Sequence, residues 1–539
     1  MTDAGETPGQ GPGSDVYCQS RRWRSACRSI LGAGAVLIFT ALAACAGSLE
    51  LPAAKAGEHY LFGEVYQDII EYHIDATQAD ALTLSGLKAL AAIDPTVSIA
   101  RSGDMVAVRR GDRVKSFAAP APQDSAAWGA LTGQAIDFAR AQSALVAAVP
   151  PDQVDEQVID GALATLDPFS RYVRPAAARE RRAERDGFDG IGITIAFRQS
   201  QVWIASVQPD TPAAAAGLLA DDRIVAVDGV SVKTLTADDL GRRLRGKPDT
   251  KVVLAIARRG EAEPLTVSVP RAHIVEPAVT LQIRDGIAWL KVTSFNQQTG
   301  SLAAELLQRA HRQEGAALRG IVLDLRDNPG GLLDQSIELA SLFVARGPIA
   351  STIGRLPGSF QNFAAPEDHR AETLPVVVLV NGGSASASEI VASALQDSGR
   401  AVVIGTASYG KGTVQTVMRT SNDAELTVTW AQLITPLGYR LNHHGVVPNI
   451  CTDSLIDMPA SAAQLLQAAS EAPDLATPRA NLDDSGWTNL RAQCPPRRAE
   501  RAIDAELAER LIDDPGLYHR ALASVPIVAA RAKEAHLQQ

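Results

Sequence analysis

The chain has 539 residues, 46% of them hydrophobic and 5% aromatic, with a formal net charge of −10 at pH 7. That length implies several domains. The acidic balance leaves no basic face to neutralise a phosphate backbone, which excludes nucleic acid as a partner.

The first predicted element is an export leader. Arg21, Arg22, Arg24 and Arg28 precede an uncharged stretch from Ser29 to Leu49, the order of a signal peptide. Within it Leu42, Ala43, Ala44 and Cys45 resemble a bacterial lipobox. Cleavage after residue 44 would make Cys45 the amino terminus, and acyl chains on its thiol would hold the protein to a membrane. The alternative is an uncleaved anchor, because the run is just long enough to span a bilayer. Its Ala and Gly content makes it weak as a permanent span and favours lipidation. Both readings place the body of the chain outside the cytoplasm, in the bacterial periplasm or cell envelope.

After a linker over 45–57, residues 58–184 read as a mainly helical N-terminal domain. LSGLKALAAIDP, from Leu84, echoes IDGALATLDP, from Ile159, with Leu and Ala at helical spacing. Between the two copies, VSIARSGDMVAVRRGDRVKSF reads as a hairpin and APAPQDSAAW as a loop. No function for this region follows from its residues.

Residues 185–272 carry short alternating apolar stretches separated by glycine turns. The loop Gly190, Ile191, Gly192, Ile193, followed by VQPDTPAAAAGLLADDRIVAVDGV, resembles a PDZ domain. The resemblance implies that backbone amides of this loop receive a peptide's terminal carboxylate while the peptide adds a strand. The alternative is a small β domain that merely packs on its neighbour.

Residues 273–452 alternate strands at IAWLKV, GIVLDL, VVVLV and AVVIG with helices from Gly300, Leu333 and Ala387, the pattern of an α/β core. SASASEI places Ser386 just beyond VVVLVN, at a strand-to-helix turn that exposes a hydroxyl beside unpaired amides, and YGKGTVQ supplies Lys411. A serine hydroxyl needs a neighbour to take its proton, and a lysine does that only where burial keeps it neutral. GIVLDLRDNPGGLL offers glycine amides for a developing oxyanion. Two rival readings use the same stretch. GTASYGK fits a phosphate loop, but Gly412 stands where the magnesium-holding Ser or Thr belongs. His443 or His444 would complete a Ser, His, Asp triad.

The SASASE block, GKGTVQ and DLRDNPGG together resemble the C-terminal processing peptidases, or tail-specific proteases, and LDPFSRYV looks like the segment before their PDZ domain. The resemblance implies a multidomain α/β fold, a crotonase/ClpP-like protease core with an inserted β-rich PDZ domain. It makes Ser386 the nucleophile, Lys411 the general base and Gln415 the residue that orients the lysine amine. It also puts the amide of Gly330 or Gly331 with that of Ala387 in an oxyanion hole. Asp397 matches an acidic family position and is assigned support, since a carboxylate touching Lys411 would oppose its neutral form. Asn449 stands where the family usually has aspartate.

The tail, 453–539, is Ala-rich, is broken at Pro495 and Pro496, and carries an amphipathic helix at AERAIDAELAERLID. With Cys18 and Cys27 in the leader, Cys451 and Cys494 remain in the body, and an oxidising compartment favours a disulfide between them. No metal or other cofactor is expected. The expected function is a serine endopeptidase acting on exported proteins with apolar C-terminal tails, with a lipoprotein adaptor as a further partner. The alternative is a catalytically inert PDZ scaffold that binds protein C-termini.

Overall fold

A six-stranded sheet organises the fold: Val279–Arg284, Ile287–Val292, Gly320–Asp324, Val376–Val380, Val402–Gly405 and Ile450–Cys451 lie side by side in that order. The first pair is antiparallel and the rest are parallel. GIVLD and VVVLV are buried at every residue, as parallel strands covered on both faces must be. Successive side chains go to opposite faces. Val376, Val378 and Val380 pack with the helices Thr299–Glu314, Leu333–Ser341 and Ala387–Asp397. Val377 and Leu379 join Leu507, Leu511, Leu517 and Tyr518 of two tail helices, Ala502–Asp513 and Pro515–Leu522. The computed structural model describes residues 60–366, 372–453, 455 and 479–523. The leader, the Cys45 lipobox and the linker lie outside the described residues.

The tail is therefore the second cover of the central sheet, and polar ties fix it there. Arg326 lies between Asp324 and Asp504 of the tail. Asn449 is buried, with Oδ1 accepting from Gln396 Nε2 at 2.9 Å and Val403 N at 2.9 Å, while Nδ2 donates to Ala521 O at 3.1 Å. An aspartate has no hydrogen to give that carbonyl, so asparagine at this position serves tail docking. Cys451 and Cys494 form the expected disulfide, with Cα atoms 5.9 Å apart across a sequence separation of 43.

A second sheet runs Gln361–Ala364, Pro348–Ile353, Glu425–Ile434, Thr413–Arg419, and Arg171–Val173 pairs with Glu425–Thr427. The N-terminal region is built onto it. Helices Tyr60–Tyr72, Ala79–Lys88, Ser125–Gln142 and Pro151–Leu163 share one apolar core with Ala424, Leu426 and Val428, so these helices and the second sheet pack as one unit. The expected hairpin gains a third strand: Val97–Ser102, Met105–Arg110 and Arg113–Ala118 form an antiparallel meander. Gly103 and Gly111 open its two turns at φ 57° and 56°.

The PDZ-like unit has its own core and a sheet ordered Leu265–Pro270, Lys251–Ala257, Arg223–Val227, Gln201–Val207, Ile193–Arg198. Ile193–Arg198 is thus an edge strand. The connections into and out of the unit, Phe188–Gly190 and Ala272–Ile274, pair with each other as a two-stranded stalk.

Candidate active site

Ser386 sits at the turn from the central strand Val376–Val380 into the helix Ala387–Asp397, at φ 55° and ψ −113°. A non-glycine residue held there costs roughly 1–3 kcal/mol and persists only where its surroundings over-determine it. The flanking small residues do this. Ser384 Oγ donates to Leu325 O at 2.8 Å, Ser388 Oγ to Asn328 O at 2.9 Å and Ala385 N to Asn328 O at 3.0 Å. The SASAS pattern thus stitches the turn to the DLRDN segment, leaving Ser386 half-buried at its apex.

Three residues on, Glu389 is fully buried and bonded on both oxygens. Its Oε2 accepts from Ser386 N at 2.7 Å and Lys411 N at 2.9 Å, and its Oε1 from Ser408 Oγ at 2.5 Å and Gly410 N at 2.7 Å. One carboxylate oxygen therefore joins the backbones of Ser386, on the turn that leaves the central sheet, and Lys411, on the loop that enters the second sheet. Burial pushes the Glu389 carboxyl above its ordinary value, and these four donors, led by the Ser408 hydroxyl, pull against that shift. Sequence reasoning passed over Glu389. The available signal was an acidic residue set among small and apolar side chains in the first turns of the helix.

Burial also sets Lys411. Desolvation, then the nearby Arg171 charge, hold its amine below the ordinary lysine value against the pull of Glu389 and Asp167. Phe169 covers the amine, its ring centroid 5.1 Å from Nζ. Asp397 lies elsewhere: fully buried at the far end of its helix, it accepts from Leu437 N at 3.2 Å. The carboxylates that bear on Lys411 are Glu389 and Asp167.

Asp167 comes from LDPFSRYV and is held by five donors. Oδ1 accepts from Phe169 N, Ser170 N and Thr429 Oγ1, and Oδ2 contacts Ser170 Oγ and His73 Nε2 at 3.1 Å. Burial alone would raise this carboxyl, but the donors, His73 foremost, bring it well below the usual range. Gln415 belongs to the same network. Its Nε2 donates to Thr413 Oγ1 at 2.8 Å and Thr429 Oγ1 at 3.3 Å, and among the described residues it makes no hydrogen bond to Lys411. The expected contact is missing because a β-bulge falls between Val414 and Gln415 and both threonines compete for the amide.

The oxyanion expectation is narrowed. Gly330 N is taken by Asn328 Oδ1 at 2.9 Å, so this amide is no donor for substrate. Gly330 provides room instead: at φ 100°, an added Cβ would lie 2.9 Å from Ser386 Cβ and 3.0 Å from Ala387 N. The amides of Gly331 and Ala387 carry no hydrogen bond among the described residues. The rival readings lose their geometry. Lys411 is followed by the strand Thr413–Arg419 where a phosphate loop has a helix, and His444 stacks on Trp487 at 4.6 Å. His443 is held through its own amide to Gly410 O.

In the PDZ-like unit Gly192 has φ 87° and an added Cβ would lie 2.4 Å from Thr211 Oγ1, so only glycine fits. Ile191 O and Gly192 O accept from Ala213 N and Gln208 N, while the amides of Ile191 and Gly192 make no hydrogen bond among the described residues. Ile193 starts the edge strand, and Gly190 belongs to the stalk, paired with Ala272.

Peptidase family S41 matches residues 286–452 and a PDZ domain pattern matches residues 203–258. A carboxy-terminal-processing protease of Bartonella bacilliformis is 39% identical over 308 residues, 57% of this chain and 71% of that protein. A carboxyl-terminal-processing protease of Synechocystis sp. is 35% identical over 310 residues, 56% and 70% of the two chains. Among solved structures, the photosystem II D1 C-terminal processing protease aligns over 77% of this chain and 97% of its own at 25% identity, with a TM-score of 0.38.

Glu389→Gln keeps the shape but points an NH2 group at amide or hydroxyl donors, so kcat should fall by about 100-fold, the scale of a misplaced reacting group; unchanged steady-state kinetics would remove Glu389 from the site. A neutral lysine base makes the rate rise with pH and level off below the titration range of an ordinary lysine. Phe169→Ala wets the amine and raises its pKa, so the rising limb of the kcat/KM profile should move to higher pH; a limb that stays put would show that the ring does not desolvate Lys411.

Proposed function

This chain belongs to peptidase family S41, the carboxy-terminal processing proteases, and is a serine-type peptidase; from that premise we propose that Ser386 forms the acyl-enzyme and Lys411 is its base. The observation that carries the assignment is the Glu389 oxygen shared by the Ser386 and Lys411 amides. Neutral Lys411 takes the Ser386 proton as Oγ attacks the scissile carbonyl. The amides of Gly331 and Ala387 receive the oxyanion, and the lysine ammonium then gives its proton to the leaving amine. Water repeats the sequence on the ester, with Lys411 again as base. With both Gln415 amide hydrogens engaged, its side-chain carbonyl is left as an acceptor, the polarity a lysine amine requires. The parallel sheet with its strand–turn–helix nucleophile supports a crotonase/ClpP-like core.

The substrate reading rests on the PDZ unit. The Ile191 and Gly192 amides would hold a terminal carboxylate, and the edge strand Ile193–Arg198 would take up the tail of an exported protein as an added strand. The strained Ser386 and its buried carboxylate clamp speak against an inert scaffold, which has no use for either. Export and lipidation at Cys45 rest on the leader sequence and would hold the enzyme at the membrane of the cell envelope, where a lipoprotein adaptor could meet it. Among the described residues no helix is long and apolar enough to cross a membrane.

The deciding experiment compares the full chain with Ser386→Ala and Lys411→Ala on a loosely folded protein with an apolar C-terminal tail. Both variants should lose cleavage, and activity retained by Lys411→Ala would reassign the base. Amidating the tail's carboxyl should raise KM with little change in kcat; equal KM values would remove the carboxylate from recognition.

A further inference from the structure

The reactive state poses a charge problem that the serine and lysine do not solve. Lys411 must be neutral to act as base, so it cannot balance the buried Glu389 carboxylate at the moment of reaction, and an unbalanced buried anion is costly. Among the described residues, the ionisable groups that feel Glu389 are Lys411, on the loop it binds, the buried Tyr439 phenol, and Arg491. Tyr439 offers no positive charge.

Arg491 lies on the tail helix Asp484–Gln493, beyond the span matched by the peptidase family. Its Nη1 donates to His444 O at 2.6 Å and its Nη2 to Ser408 O at 3.0 Å and Tyr409 O at 3.4 Å. The guanidinium thus grips the loop whose Ser408 hydroxyl, Gly410 amide and Lys411 amide all point at Glu389. Gly445 shows how closely the parts converge. A Cβ added there would lie 2.6 Å from Ser408 Oγ, 2.8 Å from Arg491 Nη1 and 3.0 Å from Glu389 Oε1, leaving no space for a methyl group. The helix itself is held firmly. Trp487 and Leu490 are buried in the main core, Trp487 stacks on His444, and Cys494 at the helix end is bonded to Cys451 of the last central strand.

We propose that Arg491 is a positioning residue for acylation: it holds the Lys411 loop against Glu389 and supplies the fixed positive charge that lets Glu389 remain a carboxylate while Lys411 is neutral. Arginine suits this role because it stays charged and its planar fork reaches several carbonyls at once. The inference rests on the Ser386 and Lys411 assignment and extends the working site into the tail.

The test measures kcat and KM on a tail substrate, and the rate constant for labelling Ser386 with a fluorophosphonate, for the full chain and its Arg491→Gln, Arg491→Lys and Ser386→Ala variants. Labelling is read on the folded fraction isolated by gel filtration, so partial misfolding does not enter the rate. Arg491→Gln should lower kcat and labelling together by about 10- to 100-fold, with KM within about twofold, as expected for a misplaced reacting group. Arg491→Lys keeps the charge without the fork and should fall between the two. Parental labelling by either variant, or a change confined to KM, overturns the proposal. If Arg491→Gln yields no folded fraction, Arg491→Lys decides alone: slower labelling supports the proposal and parental labelling overturns it. Ser386→Ala should not label at all; if it labels like the parent, the nucleophile assignment has failed and not the role of Arg491.

Discussion

The site depends on one buried carboxylate. Taking Glu389 out of water costs several kcal/mol, and four donors from two separate segments offset that cost. Because each donor is a backbone amide or a short serine hydroxyl, the carboxylate cannot be satisfied unless both segments are in place. The Ser386 turn, itself strained, and the loop before Lys411 are therefore fixed by the same demand for acceptors. An apolar residue at 389 would leave these four donors without an acceptor and nothing to hold the two loops in register.

The larger frame was largely legible because it rests on periodicity. Wholly apolar GIVLD and VVVLV announce strands covered on both sides, and Ser386 follows the second of them directly. What covers the second face was not legible. Leu507 and Leu511 mark an amphipathic helix, but nothing in their spacing says that it lies on Val377 and Leu379. The same limit hid the merging of the N-terminal helices with the second sheet, which needs Arg171–Val173 to pair with Glu425–Thr427 far along the chain.

Within the site, the residues proposed to do the chemistry were readable by type, and those that work through pairing were not. Ser386 and Lys411 stand out by type and context. The loss of the Gly330 amide to Asn328, two residues earlier, is a local turn interaction that Asn-Pro-Gly could have signalled. The placement of Gln415 depends on a bulge and on two threonines from paired strands, and no local pattern encodes that. Glu389 was hidden by its helix, whose every residue is buried, so its acidic character gave no hint of where its donors lie.

The proposed lysine base beside two carboxylates at first looks self-defeating, since each anion favours the ammonium. The hydrogen-bond arrangement resolves this. Glu389 spends its lone pairs on Ser386, Ser408, Gly410 and the backbone amide of Lys411, and Asp167 spends its own on His73, Phe169, Ser170 and Thr429. Among the described residues neither carboxylate makes a hydrogen bond to the lysine amine, so each acts on it only through its field, and that field is already shared among many donors. Against this weakened pull stand burial under Phe169 and the Arg171 charge, and the balance falls on the neutral side of an ordinary lysine. The donors come from segments that flank the N-terminal helices, the central sheet and the second sheet, so the basicity of one amine is set by how these three parts assemble around it.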